Sequence, residues 1–293
     1  NISENVEFTM ESNPGTLTES KLRKYIDIGI NRLSIGLQSF NNEILKTIGR
    51  IHTAEDFIQS YNMARRAGFE NINIDLIYSL PGQSVQDWEN TLREVIKLKP
   101  DHISAYALKV EEGTPFEKLL DENKLDLPSD DEDREMYDIA IRLLGEHGIE
   151  QYEISNFAKI GYECRHNLIY WNNEEYLGLG VSAHSYICSN RYATTMDVHE
   201  YIELISGGKS PVKSEEPKEK KDEMIETIFL SLRLNRGLNL KKFKERFNTN
   251  IFDIYGEKID NLVDQGLLRV DKESIKLTRY GMDVSNQVFV EFL

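Results

Sequence analysis

Four polar residues early in the chain carry a coherent set of chemistries. Glu11 offers a carboxylate for an amine, Gln38 an amide for a polar oxygen, and Asp75 a carboxylate for a pair of hydroxyls. Arg50 follows Gln38 by twelve residues, and its planar fork suits a ligand carboxylate. Each alone reads equally well as a surface ion pair or a helix cap. Together they form a set shaped to a zwitterion and a ribose.

Such residues need a rigid frame, and the chain alternates short β-like runs with helical patterns. The runs are Val6–Glu11, Arg32–Gln38, Asn71–Tyr78, His102–Leu108 and Tyr152–Ile154. The amphipathic segments between them are Glu19–Gly29, Ala54–Gly68, Val85–Leu98 and Asp130–Gly148. This alternation implies parallel crossovers and hence an α/β sheet or barrel. Buried parallel strands usually read as continuous apolar runs. Here Leu33, Ile35 and Leu37 alternate with Ser34, Gly36 and Gln38, and Ile72, Ile74 and Leu76 with Asn71, Asn73 and Asp75. Val6–Glu11 alternates in the same way, and Ser104 and Tyr106 oppose Ile103, Ala105 and Ala107. The apolar faces can pack on helices while the polar faces line a lumen holding water or a polar ligand. Glu11, Gln38 and Asp75 fall at C-terminal strand edges, where barrel proteins place their chemistry. An antiparallel sheet with a wet face is the alternative, and the intervening helices count against it.

Composition narrows the class. The 293 residues are 40% hydrophobic and 29% charged, as in an ordinary globular protein. No apolar run approaches the roughly 18 residues of a membrane span. Two cysteines, Cys164 and Cys188, fit a reducing compartment, and a cytoplasmic location is expected. The net charge of −15 opposes non-specific binding to nucleic acid or anionic lipid, so membrane association is expected only through a partner. Ser129-Asp130-Asp131-Glu132 reads as a capped helix start. The chain enters its first β-like run almost at once, which suggests a barrel lacking its first strands. A Gly/Pro/charge-rich stretch, 206–221, reads as a linker between a domain over 1–205 and another over 222–293. Three helical patterns followed by two β-like runs make the latter winged-helix-like. Its third helix carries Asp253, Glu257, Asp260 and Asp264 against Lys258, which favours a structural or docking role over DNA binding.

Longer strings carry a resemblance. Glu11-Ser12-Asn13-Pro14, Asn31-Arg32-Leu33-Ser34-Ile35-Gly36-Leu37-Gln38-Ser39-Phe40 and Asn73-Ile74-Asp75-Leu76-Ile77-Tyr78-Ser79-Leu80-Pro81-Gly82-Gln83 occur in that order. Gly178-Leu179-Gly180-Val181-Ser182-Ala183-His184 follows. The sequence resembles the radical S-adenosylmethionine proteins related to oxygen-independent coproporphyrinogen III oxidase, over essentially its whole length. The resemblance implies a partial (β/α)6 barrel, with Glu11, Gln38, Arg50 and Asp75 contacting S-adenosylmethionine and His184 at the cofactor cavity. It also implies a [4Fe–4S] cluster on a Cys-x3-Cys-x2-Cys run. Cys164 and Cys188, with twenty-three residues between them, form no such run. The cluster is therefore expected only in a longer chain, and reductive chemistry is not expected of this one.

The string His166-Asn167-Leu168-Ile169-Tyr170-Trp171 resembles the haem-chaperone branch of that family. By themselves these residues read more simply as a structural histidine beside core aromatics. The resemblance implies instead that His166 ligates haem, with Tyr170 and Trp171 against the porphyrin. Haem or a porphyrinogen, and a haem-accepting protein, are the implied partners; an oxygen-independent coproporphyrinogen oxidase is the alternative. Cys164-x-His166 and His184-x3-Cys188 fit no common zinc module. Gly178-x-Gly180 reads as a tight strand entry rather than a phosphate loop.

Overall fold

The computed structural model describes residues 3–293. They fall into two compact units that meet in sequence at Cys164 and Arg165.

The first unit is an α/β sheet with helices. Its elements run β1 (Thr9–Ser12), α1 (Glu19–Asp27), β2 (Arg32–Gln38), α2 (Asn42–Thr47), α3 (Ala54–Ala67), β3 (Asn71–Tyr78) and α4 (Val85–Lys97). They continue through β4 (His102–Ala107), α5 (Pro115–Asp121), α6 (Asp130–Gly145), β5 (Glu150–Glu153) and β6 (Asn156–Ala158). The sheet order is β1-β2-β3-β4-β6-β5. The first four strands are parallel, as the strand–helix alternation predicts.

Local chemistry sets the element ends. Reciprocal capping boxes start α3 (Thr53 with Asp56), α4 (Ser84 with Asp87) and α6 (Ser129 with Glu132). Gly68, at φ +111°, ends α3 where an L-residue would be strained. The strands' apolar face supplies Leu33, Ile35, Leu37, Ile72, Ile74, Leu76 and Ile103 to one core with Leu22, Phe57, Trp88, Leu92 and Leu143 from the helices. Trp88 Nε1 donates to the Met136 carbonyl at 2.7 Å, tying α4 to α6.

Two expectations change. The first strand begins at Thr9 rather than Val6, because the Asn31 side chain takes the Phe8 N–H at 2.9 Å and donates to the Val6 carbonyl at 2.8 Å. The run at Tyr152–Ile154 is not one parallel strand. Two residues, Ile154 and Ser155, turn the chain between β5 and β6, and β6 is antiparallel to both β4 and β5.

The second unit begins with α7 (Arg165–Trp171) and a three-stranded antiparallel sheet of β7 (His184–Ile187), β8 (Asn190–Thr194) and β9 (Val212–Pro217), with α8 (Val198–Ser206) between β8 and β9. Strand β9 occupies the stretch read as a linker. All six of its residues are exposed and it is held by backbone pairing to β8, so its side chains give no strand signal. Then follow α9 (Lys220–Leu232), β10 (Leu238–Asn239), α10 (Leu240–Phe247), α11 (Ile251–Asp264), β11 (Leu268–Val270), β12 (Ser274–Leu277), α12 (Arg279–Asp283) and α13 (Ser285–Val290). Three helices with a small sheet ordered β10-β12-β11 give the winged-helix-like arrangement, on a core that includes Ile228, Leu232, Phe243, Ile259 and Leu277. Among the described residues no helix is long and apolar enough to cross a membrane.

Candidate functional site

Parallel pairing puts cross-strand partners on the same face, so register builds the polar wall. One row runs Glu11, Ser34, Asn73, His102; the next runs Gly36, Asp75, Ser104. The side chains in these rows are tied to one another. Ser34 Oγ donates to Asp75 Oδ2 at 2.7 Å, and Asn73 Nδ2 donates to Asp75 Oδ1 and to Ser34 Oγ, each at 2.7 Å. The Asn73 Oδ1 atom lies 2.6 Å from His102 Nδ1 and accepts from Ser104 Oγ at 3.2 Å. His102 Nε2 lies 2.9 Å from the Tyr152 hydroxyl, which also accepts the Cys164 N–H at 3.3 Å. His102 is fully buried, and desolvation, reinforced by the Arg32 charge, holds its pKa well below the ordinary histidine value.

At the C-terminal end of β2 the ladder shifts register between Gly36 and Gln38, and Gln38 takes φ +70°. A non-glycine residue held there costs about 1–3 kcal/mol and persists where the surroundings impose it. Its side chain is buried and makes no hydrogen bond among the described residues. A Cβ on Gly36 would stand 2.8 Å from Gln38 Nε2, so glycine leaves the amide its place. Arg50 sits in the segment between α2 and α3, which His52 pins to β2 by a ring nitrogen 3.2 Å from the Leu37 carbonyl. Burial lowers the His52 pKa. Arg50 Nη1 reaches Asn13 Oδ1 at 3.5 Å and has no carboxylate partner among the described residues. Glu11, on the exposed edge of the wall, makes no side-chain hydrogen bond among the described residues.

The structure thus gathers four expected residues onto one unit: Glu11, Gln38 and Asp75 on one sheet face, and Arg50 on a segment anchored beside it. An amide with no partner among the described residues, a guanidinium without a carboxylate and an oriented carboxylate fit a polar zwitterion carrying hydroxyls. The chain does not fit an iron–sulfur cluster. Cys164 is buried, Cys188 is exposed, and among the described residues no three His, Cys, Asp or Glu side chains are placed to hold a metal.

His184 belongs to the second unit, exposed on β7. Its backbone is closely approached by Gly178, where a Cβ would stand 2.0 Å from the His184 carbonyl oxygen. His166 lies in the first turn of α7, one helical turn from Tyr170. Their ring centroids are 4.8 Å apart with planes at 89°, and Tyr170 in turn stands edge-on to Tyr176 at 4.6 Å. Partial burial raises the Tyr170 pKa. Trp171 faces elsewhere: the Arg233 guanidinium lies 4.4 Å from its ring centroid. Its indole nitrogen is buried without a partner.

Sequence reasoning named Ser104 and Tyr106 but missed His102, although all three alternate on one strand. Tyr152 carried no signal, because its partner His102 lies fifty residues away.

Comparison with known proteins agrees with this frame. Residues 2–95 match the radical SAM superfamily, and residues 219–284 match the HemN C-terminal domain. The chain is 38% identical over 98% of its length to the heme chaperone HemW of Bacillus subtilis, covering 76% of that relative. It is 31% identical over its full length to HemW of Escherichia coli, again covering 76%. The solved coproporphyrinogen III oxidase HemN of Escherichia coli shares the fold, with a TM-score of 0.81 over 98% of this chain and 70% of that one, at 24% identity. The chain belongs to the HemN-like radical SAM family, near the HemW haem chaperones.

Proposed function

We propose that this protein is a haem chaperone that binds haem through His166 and passes it to a haem-requiring protein. The observation that carries the reading is the edge-on pair of His166 and Tyr170 on α7, within the His-Asn-x-x-Tyr-Trp string. Imidazole is a common axial haem ligand, and His166 is exposed near the start of a helix with Tyr170 edge-on to its ring. Trp171 enters the porphyrin contact only by giving up its stack with Arg233. Relatives named as heme chaperones support this choice over the oxidase alternative, since likeness to HemN in fold does not separate the two.

In the same reading Glu11, Gln38, Arg50 and Asp75 bind S-adenosylmethionine. Arg50 takes its carboxylate, Glu11 its amine, Gln38 a polar oxygen and Asp75 the ribose hydroxyls. That cofactor supplies a carbon radical when cleaved beside a reduced [4Fe–4S] cluster. The residues present offer no such cluster a cysteine set, so the chain's own role is to bind and orient. A cytoplasmic setting and haem or porphyrinogen as cargo complete the proposal. Haem titration of wild-type protein and His166→Ala tests it, with anaerobic turnover of coproporphyrinogen by a longer, cluster-bearing chain as the arm that would favour the oxidase.

A further inference from the structure

Hydrogen-bond polarity along the wall admits one arrangement. The Asn73 amide lies against the Asp75 carboxylate, so its nitrogen must face Asp75, and both amide hydrogens are then spent on Asp75 and Ser34. Its oxygen therefore faces His102 and can only accept, which requires a proton on His102 Nδ1. Burial keeps the ring neutral, so Nε2 is a bare acceptor. Tyr152 must donate to it, and its own oxygen accepts the Cys164 N–H. The donors from Cys164 through Tyr152, His102 and Asn73 thus point toward Asp75, beginning at a backbone N–H, which can only donate.

We infer that His102, locked by Tyr152 as its Nδ1–H tautomer, is a positioning residue for the Asp75 carboxylate. It acts through Asn73 and touches no ligand. The opposite tautomer would present a lone pair to Asn73, turn the amide over, and set its oxygen against the carboxylate. Asp75 would then lose one of the two hydrogen bonds that fix its plane relative to a pair of hydroxyls. The arrangement leaves each carboxylate oxygen with a further lone pair for the ligand. This inference rests on the reading that Asp75 contacts S-adenosylmethionine.

Two isosteric variants separate positioning from mere filling of the core. In His102→Asn the amide nitrogen stands near the Nδ1 position and keeps the donor; in His102→Gln the amide reaches the Nε2 position and the donor is lost. Isothermal titration with S-adenosylmethionine should give near wild-type affinity for His102→Asn. It should give about tenfold weaker binding for His102→Gln and for Asp75→Asn, the loss expected for one hydrogen bond to a charged group. Nitrogen-15 NMR of the wild-type imidazole should show a protonated Nδ1 and a bare Nε2, independently of any ligand. A protonated Nε2 would overturn the inference. So would wild-type affinity in His102→Gln when Asp75→Asn is weakened. Wild-type affinity in Asp75→Asn would instead overturn the cofactor reading beneath it, and the positioning role with it.

Discussion

Ser34 and Asp75, on neighbouring parallel strands, are joined by a 2.7 Å hydrogen bond from hydroxyl to carboxylate. With Asn73 on the other oxygen, the carboxylate is held from two sides before any ligand arrives. Removing the hydroxyl by Ser34→Ala should weaken S-adenosylmethionine binding about tenfold, since a charge-assisted bond contributes about 1.5–3 kcal/mol. Titration calorimetry checks this; unchanged affinity would mean that the orientation of Asp75 is irrelevant to the ligand.

Gly36→Ala should separate stability from binding. The new Cβ meets only the far end of the Gln38 side chain, which can swing away, so thermal unfolding should shift little. The displaced amide should no longer contact the ligand, and affinity should fall several-fold, by about 1 kcal/mol. A large loss of stability with intact affinity would show that the glycine serves the fold alone.

Acid should destabilise the first unit through its buried histidines. His102 and His52 both have folded-state pKa values below the unfolded value near 6.5. The unfolded chain therefore binds protons first, and stability rises with pH across the interval between folded and unfolded values. Their contribution is complete above about pH 6.5 and is lost as pH falls through the folded values. Urea unfolding at a series of pH values should show this slope, and His102→Asn should flatten it. An unchanged slope would assign the acid sensitivity to other groups.

Gly178→Ala should be severe. The Cβ would fall 2.0 Å from the His184 carbonyl oxygen, which is backbone and cannot rotate away. A cost of about 2 kcal/mol or more in the second unit is expected, within the range of steric lesions at close backbone contacts. Hydrogen exchange across β7 and β8 would localise the effect; protection equal to wild type would contradict it.

Much of the first unit was legible because its strands alternate. Leu33, Ile35 and Leu37 had to face helices, so Ser34, Gly36 and Gln38 had to face one another's counterparts, and the polar wall followed. The helix start at Ser129 was legible from residues that cap. What sequence could not provide was pairing between distant polar groups, as in His102 with Tyr152, or a strand held by backbone alone, as in Val212–Pro217. The antiparallel return at β6 was hidden for a related reason. A three-residue strand carries too few side chains to report its direction. The stack of Trp171 on Arg233 likewise joins residues far apart in sequence.

Haem binding at His166 is the central claim, and an absorbance titration tests it directly. Wild-type protein should shift the Soret band of added haem to a ligated position, and His166→Ala, folded to the same melting temperature, should leave the spectrum of free haem. A shift retained unchanged in His166→Ala would contradict ligation by this histidine.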